Sequence, residues 1–502
     1  MSRKKVIIIG AGIAGLSAGC YLQMNGYETE IFELHGSPGG LCTGWRRQGY
    51  TFDGCIHWLC GSSPKNELHT IWEELHAIDE KNIVNHEIFI HTELEKGKSF
   101  SVYTNVDKLQ EEMLKNAPED KELIEEFIDA INLCKKFDMP VLKPQNLFTL
   151  FHNMKFLFKD FPLVKLLNKW MKVSIGEFQK KFKSPLLNKN FCKLFGMYEE
   201  MPILALVYTL ALFDINSAGY PIGGSIEFIK SIKNRYLSLG GKINYNSKVE
   251  KILISNNSAK GVRLNSGKEA YSDLVISAAD GHYTLYNMLD DKFIDEDIEG
   301  YYKSFKTFPS LLQVSLGVDR LFKGIPDAVT YNFNFSAPIY IDNKNTISSL
   351  GLVIYNFDPT MAPKGKTSIT TFIEADYNYW TELRNSDLEK YKAEKERIAE
   401  EVIDRIDKLF GEVKSKVEVY DVATPYTYKN HTNNWKGSFE GWIPTIDNLD
   451  KTLKKTLPGL KDFYMIGQWV QPGGGLPTGG MHGRHIAQQI CKEDRRRFKT
   501  LR

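Results

Sequence analysis

Long unbroken apolar runs are missing from this chain. MSRKK followed by VIIIGAGIAGLSAGCYL imitates a signal peptide and has the length of a membrane span, but Gly10, Gly12, Gly15 and Gly19 would weaken any helix running on from Val6. Leu204 to Phe213 is apolar but too short to cross a bilayer. Cysteine is scarce: seven in 502 residues, at 20, 42, 55, 60, 134, 192 and 491. An odd count at irregular spacing gives no disulfide framework and points to a reducing, cytoplasmic setting. An excess of one charge is missing too. Lys and Arg number 64 against 62 Asp and Glu, so nothing global argues for nucleic acid and any basic patch must be local. There are no internal repeats or low-complexity linkers. No nucleotide-hydrolase P-loop, Ser-His-Asp or paired-carboxylate pattern stands out.

What is present reads as globular, with 42% apolar and 25% charged residues, in a chain long enough for two or more structural units. Val6 to Ile9 is a β-branched apolar run suited to a buried parallel strand. GAGIAG follows, then a helical stretch that stops at Asn25-Gly26, then ETEIFE as a second strand ending in Glu33. Strand, glycine turn, helix, strand and acid are the parts of a dinucleotide site. Gly10 makes the tight turn, Gly12 admits a pyrophosphate, and Gly15 lets helix and strand pack closely. The helix N-terminus, from Ile13 and Ala14, favours phosphate charge. Glu33 suits a ribose hydroxyl pair and would repel a 2′-phosphate, which disfavours NADP.

Gly39-Gly40-Leu41 comes shortly after that acid, followed by Arg46-Arg47 and GYTFD at 49–53. This order resembles the two-dinucleotide-binding-domain flavoproteins: amine oxidases, phytoene desaturases, carotenoid isomerases and retinol saturases. In such proteins the double glycine lies beside the FAD phosphates, which makes Arg46 a candidate phosphate contact, with plain surface charge as the alternative for both arginines. The middle of the chain continues the likeness. GYPIGGSIEFIKSIKNRYLSLGG predicts a turn and an amphipathic helix with Ile226, Ile229, Ile232 and Leu237 inward. A strand and Val249 follow, then two strands around a Ser-Gly turn and a buried strand ending at Ala278-Ala279-Asp280. In the phytoene desaturase group, which this order resembles closely, the counterpart of Val249 contacts the adenine side of FAD. Residues 305 to 440 read as several strands and a charged helix at about 386 to 411, with Leu388, Tyr391, Ile398, Ile403 and Ile406 inward. The stretch VATPYTYKNHTNNWKGSFEGW resembles a segment of the same group. The C-terminal FYMIGQWVQPGGGLPTGGMHGRHIAQQI is similar to the group's final FAD motif, with Gly467, Gln468, Gly475, Leu476 and Pro477 in the loop and at the start of a helix that can stabilise a reduced ring.

The resemblance implies an α/β fold with a discontinuous Rossmann-type FAD-binding domain (1–85, 216–290 and 445–502). An α+β substrate domain (86–215 and 291–444) would carry an antiparallel sheet and a helical cap. It implies non-covalent FAD, a hydrophobic polyene, isoprenoid or lipid as substrate, and desaturation or saturation of a C=C bond. A non-redox polyene isomerase, an amine oxidase and a prenyl- or lipid-binding escort protein remain as alternatives. FDGCIHWLCG is closer to the retinol saturases' FD.GIHYIG than to the desaturases' FD.GP, which shifts weight toward reduction or isomerisation.

Cys42, Cys55, His57 and Cys60 have soft-metal ligand chemistry, and on a strand residues 55 and 57 would face one side. The spacing lacks the tight knuckles of structural zinc, so the thiols are read as packing residues and no metal is assigned. His57, in a segment that the resemblance brings near the flavin, is the candidate acid or base, against a structural histidine. Trp58 walls a substrate channel or fills the core. His482 and Arg484, on the last helix, lie near the cofactor or on the helix surface. Residues 151–190 interleave Lys155, Lys159, Lys165, Lys169, Lys172, Lys180, Lys181 and Lys183 with Phe151, Phe156, Phe158, Phe161, Trp170, Phe178 and Phe182. That composition suits peripheral docking on an anionic membrane, at its inner face, or a cap helix with aromatics inward. The purified protein is expected to be yellow, with flavin released on denaturation and no stoichiometric zinc by elemental analysis. Colourless protein that neither binds nor is stabilised by added FAD would refute the reading.

Overall fold

The computed structural model describes residues 3–79, 81–94, 97–137, 140–144 and 168–501. Phe151, Lys155, Phe156, Phe158, Lys159, Phe161 and Lys165 of the basic-aromatic stretch lie outside the described residues.

Lys5–Ile9 is the middle strand of a five-stranded parallel sheet. Leu274–Ser277 and Glu28–Phe32 flank it, and Phe463–Met465 and Lys242–Asn244 form the edges. Val6, Ile7 and Ile8 are fully buried, as a parallel strand covered on both faces requires. All five strands come from 1–85, 216–290 and 445–502. Three helices build the site: α1 (Ile13–Met24), α2 (Gly224–Ser238) and α3 (Gly475–Glu493). The first and last run parallel in close contact. Gly479 lies against Ile13 and Ala14, and Gly483 against Ser17 and Ala18. Ser17 Oγ donates to the Gly480 carbonyl at 2.8 Å. A Cβ at Gly483 would overlap both Ser17 and the Ala18 nitrogen, so only glycine lets the two axes approach this far. In this register both N-termini point to the same side, and α3 begins about one turn earlier.

An antiparallel ribbon, Val249–Ser255, Ser258–Leu264 and Glu269–Tyr271, follows the parallel sheet's edge strand. A seven-stranded sheet draws on 86–215 and 291–444. Its order is Val417–Ala423, Leu311–Val318, Thr367–Glu374, Thr346–Ile354, Ala328–Tyr340, Ile88–Glu93 and Ser99–Tyr103. All its pairings are antiparallel except that of Ala328–Tyr340 with Ile88–Glu93. The charged helix Leu388–Phe410 covers it with Tyr391, Ile398, Val402, Ile403 and Ile406. In the described part of 151–190, Trp170, Phe178 and Phe182 are buried among Phe127, Phe191 and Phe195, and Lys169, Lys172, Lys180, Lys181 and Lys183 are exposed. Among the described residues no helix is long and apolar enough to cross a membrane.

Three local expectations are corrected. Leu237 is exposed, because Tyr236 takes the inward position of the last turn of α2 and the next residue rotates out. Leu388 is exposed, being the first residue of its helix, before the inward face begins at Tyr391. Cys55 and His57 are not on a strand: the strand Tyr50–Asp53 ends where Asp53 turns the chain.

Gly483→Ala should lower the unfolding free energy by about 1–3 kcal/mol through overpacking. Gly300→Ala, with nothing within 4 Å of the added methyl in a helix interior, should raise it by about 0.4–1 kcal/mol. Urea denaturation of the two variants checks the opposite signs.

Candidate active site

The site grows from the glycine turn between the first strand and α1. Gly10 N–H donates to the Phe32 carbonyl at 2.8 Å, locking the turn to the second strand. A Cβ at Gly15 would collide with the Gly10 carbonyl. Gly12, the cap residue of α1, is less crowded: a Cβ there would meet only the Gly39 carbonyl oxygen within 4 Å, in ordinary contact at 3.8 Å. No side chain caps α1, and its first turn, with Ile13 and Ala14, carries no acid. The head of α3 is likewise uncapped and free of acids in its first turn. Two parallel helix ends, each with unsatisfied N–H groups and partial positive charge, therefore open side by side.

The other cradle residues gather around them. Gly39 N–H donates to the Ala11 carbonyl at 2.9 Å, and a Cβ at Gly40 would lie 3.7 Å from Gly12 Cα, with half-buried Leu41 next. Glu33 is buried; its Oε2 accepts from Ala11 N–H at 2.6 Å and its Oε1 from His35 N–H at 2.8 Å. Burial pushes the Glu33 carboxyl up against these two stabilising donors. Ser247 N–H donates to the Glu33 carbonyl, which brings the segment leading to buried Val249 to the same edge. The Ala279 nitrogen lies 3.5 Å from a Cβ built at Gly10, and a Cβ at Gly467 lies 3.6 Å from that of Ala14. The uncrowded glycine at Gly12, two uncapped helix ends and a buried acid at the end of the second strand fit an adenine dinucleotide.

Not every expected residue points at this cradle. Asp280 accepts from Tyr283 N–H at 2.7 Å and Trp435 N–H at 2.8 Å, so both its oxygens hold backbone; burial raises it to about 6. Gln468 donates to Asn434 Oδ1 at 3.1 Å. Arg46 stands exposed on the hairpin Gly44–Arg47 and Tyr50–Asp53, and Arg47 pairs with Asp421 at 2.9 Å. Gly475, Leu476 and Pro477 form the first turn of α3. His482 is buried with Nδ1 3.2 Å from the Gly467 carbonyl, bracing the loop, and burial pushes its pKa well down. Arg484 forms a buried pair with Glu74 at 2.8 Å, and Tyr21 donates to the same carboxylate at 2.7 Å. It ties α3 to the first third of the chain and lies neither on the helix surface nor at the cradle.

The GYTFD stretch has a role that sequence reasoning missed. Asp53 is buried and takes four hydrogen bonds: from Cys55 and Ile56 N–H at 2.9 and 3.1 Å, and from Ser225 N–H and Oγ at 2.7 and 2.6 Å. It pins the first loop to the head of α2. Past it, Cys42 is buried beside Cys55, and contact with that thiol together with burial pushes Cys42 well up. Burial pushes Cys60 up to about 12. Among the described residues no group of three or more His, Cys, Asp or Glu side chains is placed to hold a metal. His57 packs its ring 5.0 Å from Phe372 of the seven-stranded sheet. Its Nε2 is sealed from solvent without a hydrogen-bond partner among the described residues, and burial lowers its pKa to about 4, so it is neutral at pH 7. Trp58 turns the other way, against Phe89 and Phe213 at 6.2 and 5.4 Å. Gln313 donates to the Asp53 carbonyl at 2.9 Å and accepts from Tyr428 at 2.7 Å, closing the floor. Glu440 sits against Gly475 with its pKa raised to about 7 by burial. No sequence signal marks it, because only folding brings it beside α3.

A discontinuous parallel sheet with a dinucleotide cradle, and a first loop that sets a neutral histidine against a second sheet, define an FAD-dependent oxidoreductase fold. The chain belongs to the flavin containing amine oxidoreductase family, whose model matches residues 13–491. It is 27% identical to prolycopene isomerase 1, chloroplastic, of an Oncidium hybrid cultivar, over 97% of this chain and 84% of that protein. It is 24% identical to a 4,4′-diapophytoene desaturase (4,4′-diapolycopene-forming) of Methylomonas sp, over 99% and 97%. Among solved structures, an oxidoreductase from Methanosarcina mazei superposes with a TM-score of 0.61 at 18% identity, covering 97% of this chain and 100% of that one.

Asp53→Ala leaves buried donors on both loop and helix unsatisfied and should cost about 3 kcal/mol or more. Asp53→Asn, which keeps an acceptor, should cost less. Thermal melts of the two variants in the same buffer test the order.

Proposed function

We propose that this protein is an FAD-dependent enzyme that rearranges, forms or saturates C=C bonds in a hydrophobic polyene, isoprenoid or lipid. The observation that carries the reading is the end-to-end match to proteins named for prolycopene isomerisation and diapophytoene desaturation. The reading is supported by the uncharged wall that His57 and Phe372 make. Bound flavin would supply two-electron exchange with a carbon of the substrate. Gly10, Gly12, Gly15, Glu33, Gly39 and Gly40 would hold its nucleotide end, with the first turns of α1 and α3 facing its negative groups.

This chain's own part is binding and proton placement. A neutral imidazole with a free Nε2 can accept a proton from a carbon next to the reacting bond, or hold it for return. Its lowered pKa keeps it in the accepting form above pH ~5. The seven-stranded sheet and the aromatic cap would keep water from the apolar chain of the substrate. A substrate half from 86–215 and 291–444 and a cofactor half from 1–85, 216–290 and 445–502 follow from this reading.

FAD-loaded protein incubated in liposomes with cis-configured lycopene, phytoene-type polyenes and retinol should give isomerised, desaturated or saturated product by chromatography. His57→Gln should keep FAD and lose at least about tenfold in kcat. Turnover of primary amines with none of any polyene would overturn the assignment.

A further inference from the structure

Glu440 lies in a short segment that runs beside Thr307 and Ser310, bridged by Ser310–Ser438 and Thr307–Trp442. The turn at the head of α3 packs directly on it. A Cβ at Gly474 would collide with the Glu440 carbonyl oxygen, and one at Gly475 with Glu440 Oε1. Both positions are glycine, so the carboxyl lies against the helix end that opens beside the cradle. Its charge also reaches Cys60 of the first loop and Tyr198 of the 86–215 region. Burial and then the Glu440 charge push the Cys60 thiol up, and the same charge adds to the burial, and to Glu374, that raise Tyr198. Among the described residues no lysine, arginine or hydrogen-bond donor pairs with the carboxyl. Aspartates and glutamates elsewhere in the interior, such as Asp53, Glu74 and Asp280, are all partnered. Glu440 is half-buried, an unpaired acid there is costly to keep ionised, and the partial positive charge of the α3 N-terminus offsets part of that cost.

We propose that Glu440 is the proton-exchanging group of the cofactor pocket: its carboxylate takes up one proton from water as two electrons enter the bound flavin, and releases it when they leave. The electrons come from the reductant and reside on the flavin. The Glu440 proton offsets the negative charge that they bring beside α3, and no bond to the flavin is made or broken by the carboxyl. Burial alone raises this group to about 7, and an added negative charge nearby raises it further. Below pH ~7 it is protonated in both redox states. Above that pH it is ionised with oxidised flavin and protonated with reduced flavin, so reduction consumes one more proton there.

The inference rests on the FAD assignment but not on any substrate, and its test needs none. The holoprotein is reduced with dithionite against reporter dyes from pH 5.5 to 9, and flavin absorbance gives the potential. Wild type should show a steepening above pH ~7 by tenfold in the reduction equilibrium per pH unit, about 30 mV for a two-electron couple. Glu440→Gln, of the same shape, should lack that bend. A straight wild-type line, or a bend that persists in Glu440→Gln, overturns the proposal. If that variant loses FAD, Glu440→Asp, which keeps a carboxyl, takes its place: the bend should move in pH, and an unmoved bend overturns the proposal. Wild-type protein that binds no FAD would sink the functional reading and this inference together; flavin-loaded protein without the bend sinks only the inference.

Discussion

The close parallel contact of α1 with α3 is the constraint on which the rest of the site depends. The two helices lie more than 450 residues apart in the chain. Glycine on one, and small residues on the other, let the backbones meet. Because they run in the same direction, their positive ends coincide. A pocket for a doubly negative pyrophosphate and a ring that gains charge needs such a coincidence, and isolated helices would not produce it. The buried Arg484–Glu74–Tyr21 set fastens the outer face of the same pair.

Charge in the interior is handled by position. Asp53 and Asp358 each collect several donors around the head of α2: Asp358 holds Tyr220, Gly223 and Thr360, and Asp53 holds Ser225 and the following loop. These acids organise loops that have no regular structure of their own, since buried backbone N–H groups outside helices and strands must find acceptors. Two groups stand outside that pattern. Among the described residues, His57 Nε2 is sealed without a hydrogen-bond partner and Glu440 has no counter-charge beside it. They come from different segments, the first loop and the stretch that packs on the head of α3. One is a base kept neutral, and the other an acid poised near neutrality. Environments that push two titratable groups in different directions are how a pocket divides proton tasks.

The first strand, α1, the second strand and Glu33 were legible because each rests on local rules: β-branched burial, glycine spacing and a helix stop at Asn25-Gly26. The ribbon around the Ser-Gly turn and the charged helix near 388–410 were legible for the same reason. Leu237 was misplaced by a single residue of helical phase and Leu388 by standing at the very start of its helix, neither of which periodicity alone resolves at helix ends. In the thiol-rich stretch at 42–60 only the local geometry was misread, since 55 and 57 were placed on a strand. Its residues have ligand chemistry, but Asp53 turns the chain after 53 and sends Cys55, His57 and Trp58 to different neighbours.

The sequence by itself determined the class of cofactor, since a glycine turn between strands followed by an acid is a local object whose meaning survives without the fold. It also determined strand and helix for the segments around the glycine motifs at both ends and in the middle of the chain. Tertiary structure decided the rest. It decided that Asp280 and Arg484 serve the scaffold, that His482 braces a loop, that His57 is neutral with a free nitrogen, and that Glu440 faces α3 without a partner. The physical reason is that a glycine turn carries its geometry in neighbouring residues. The state of a buried acid or imidazole is set instead by burial and by groups hundreds of residues away, and only the folded chain brings these together.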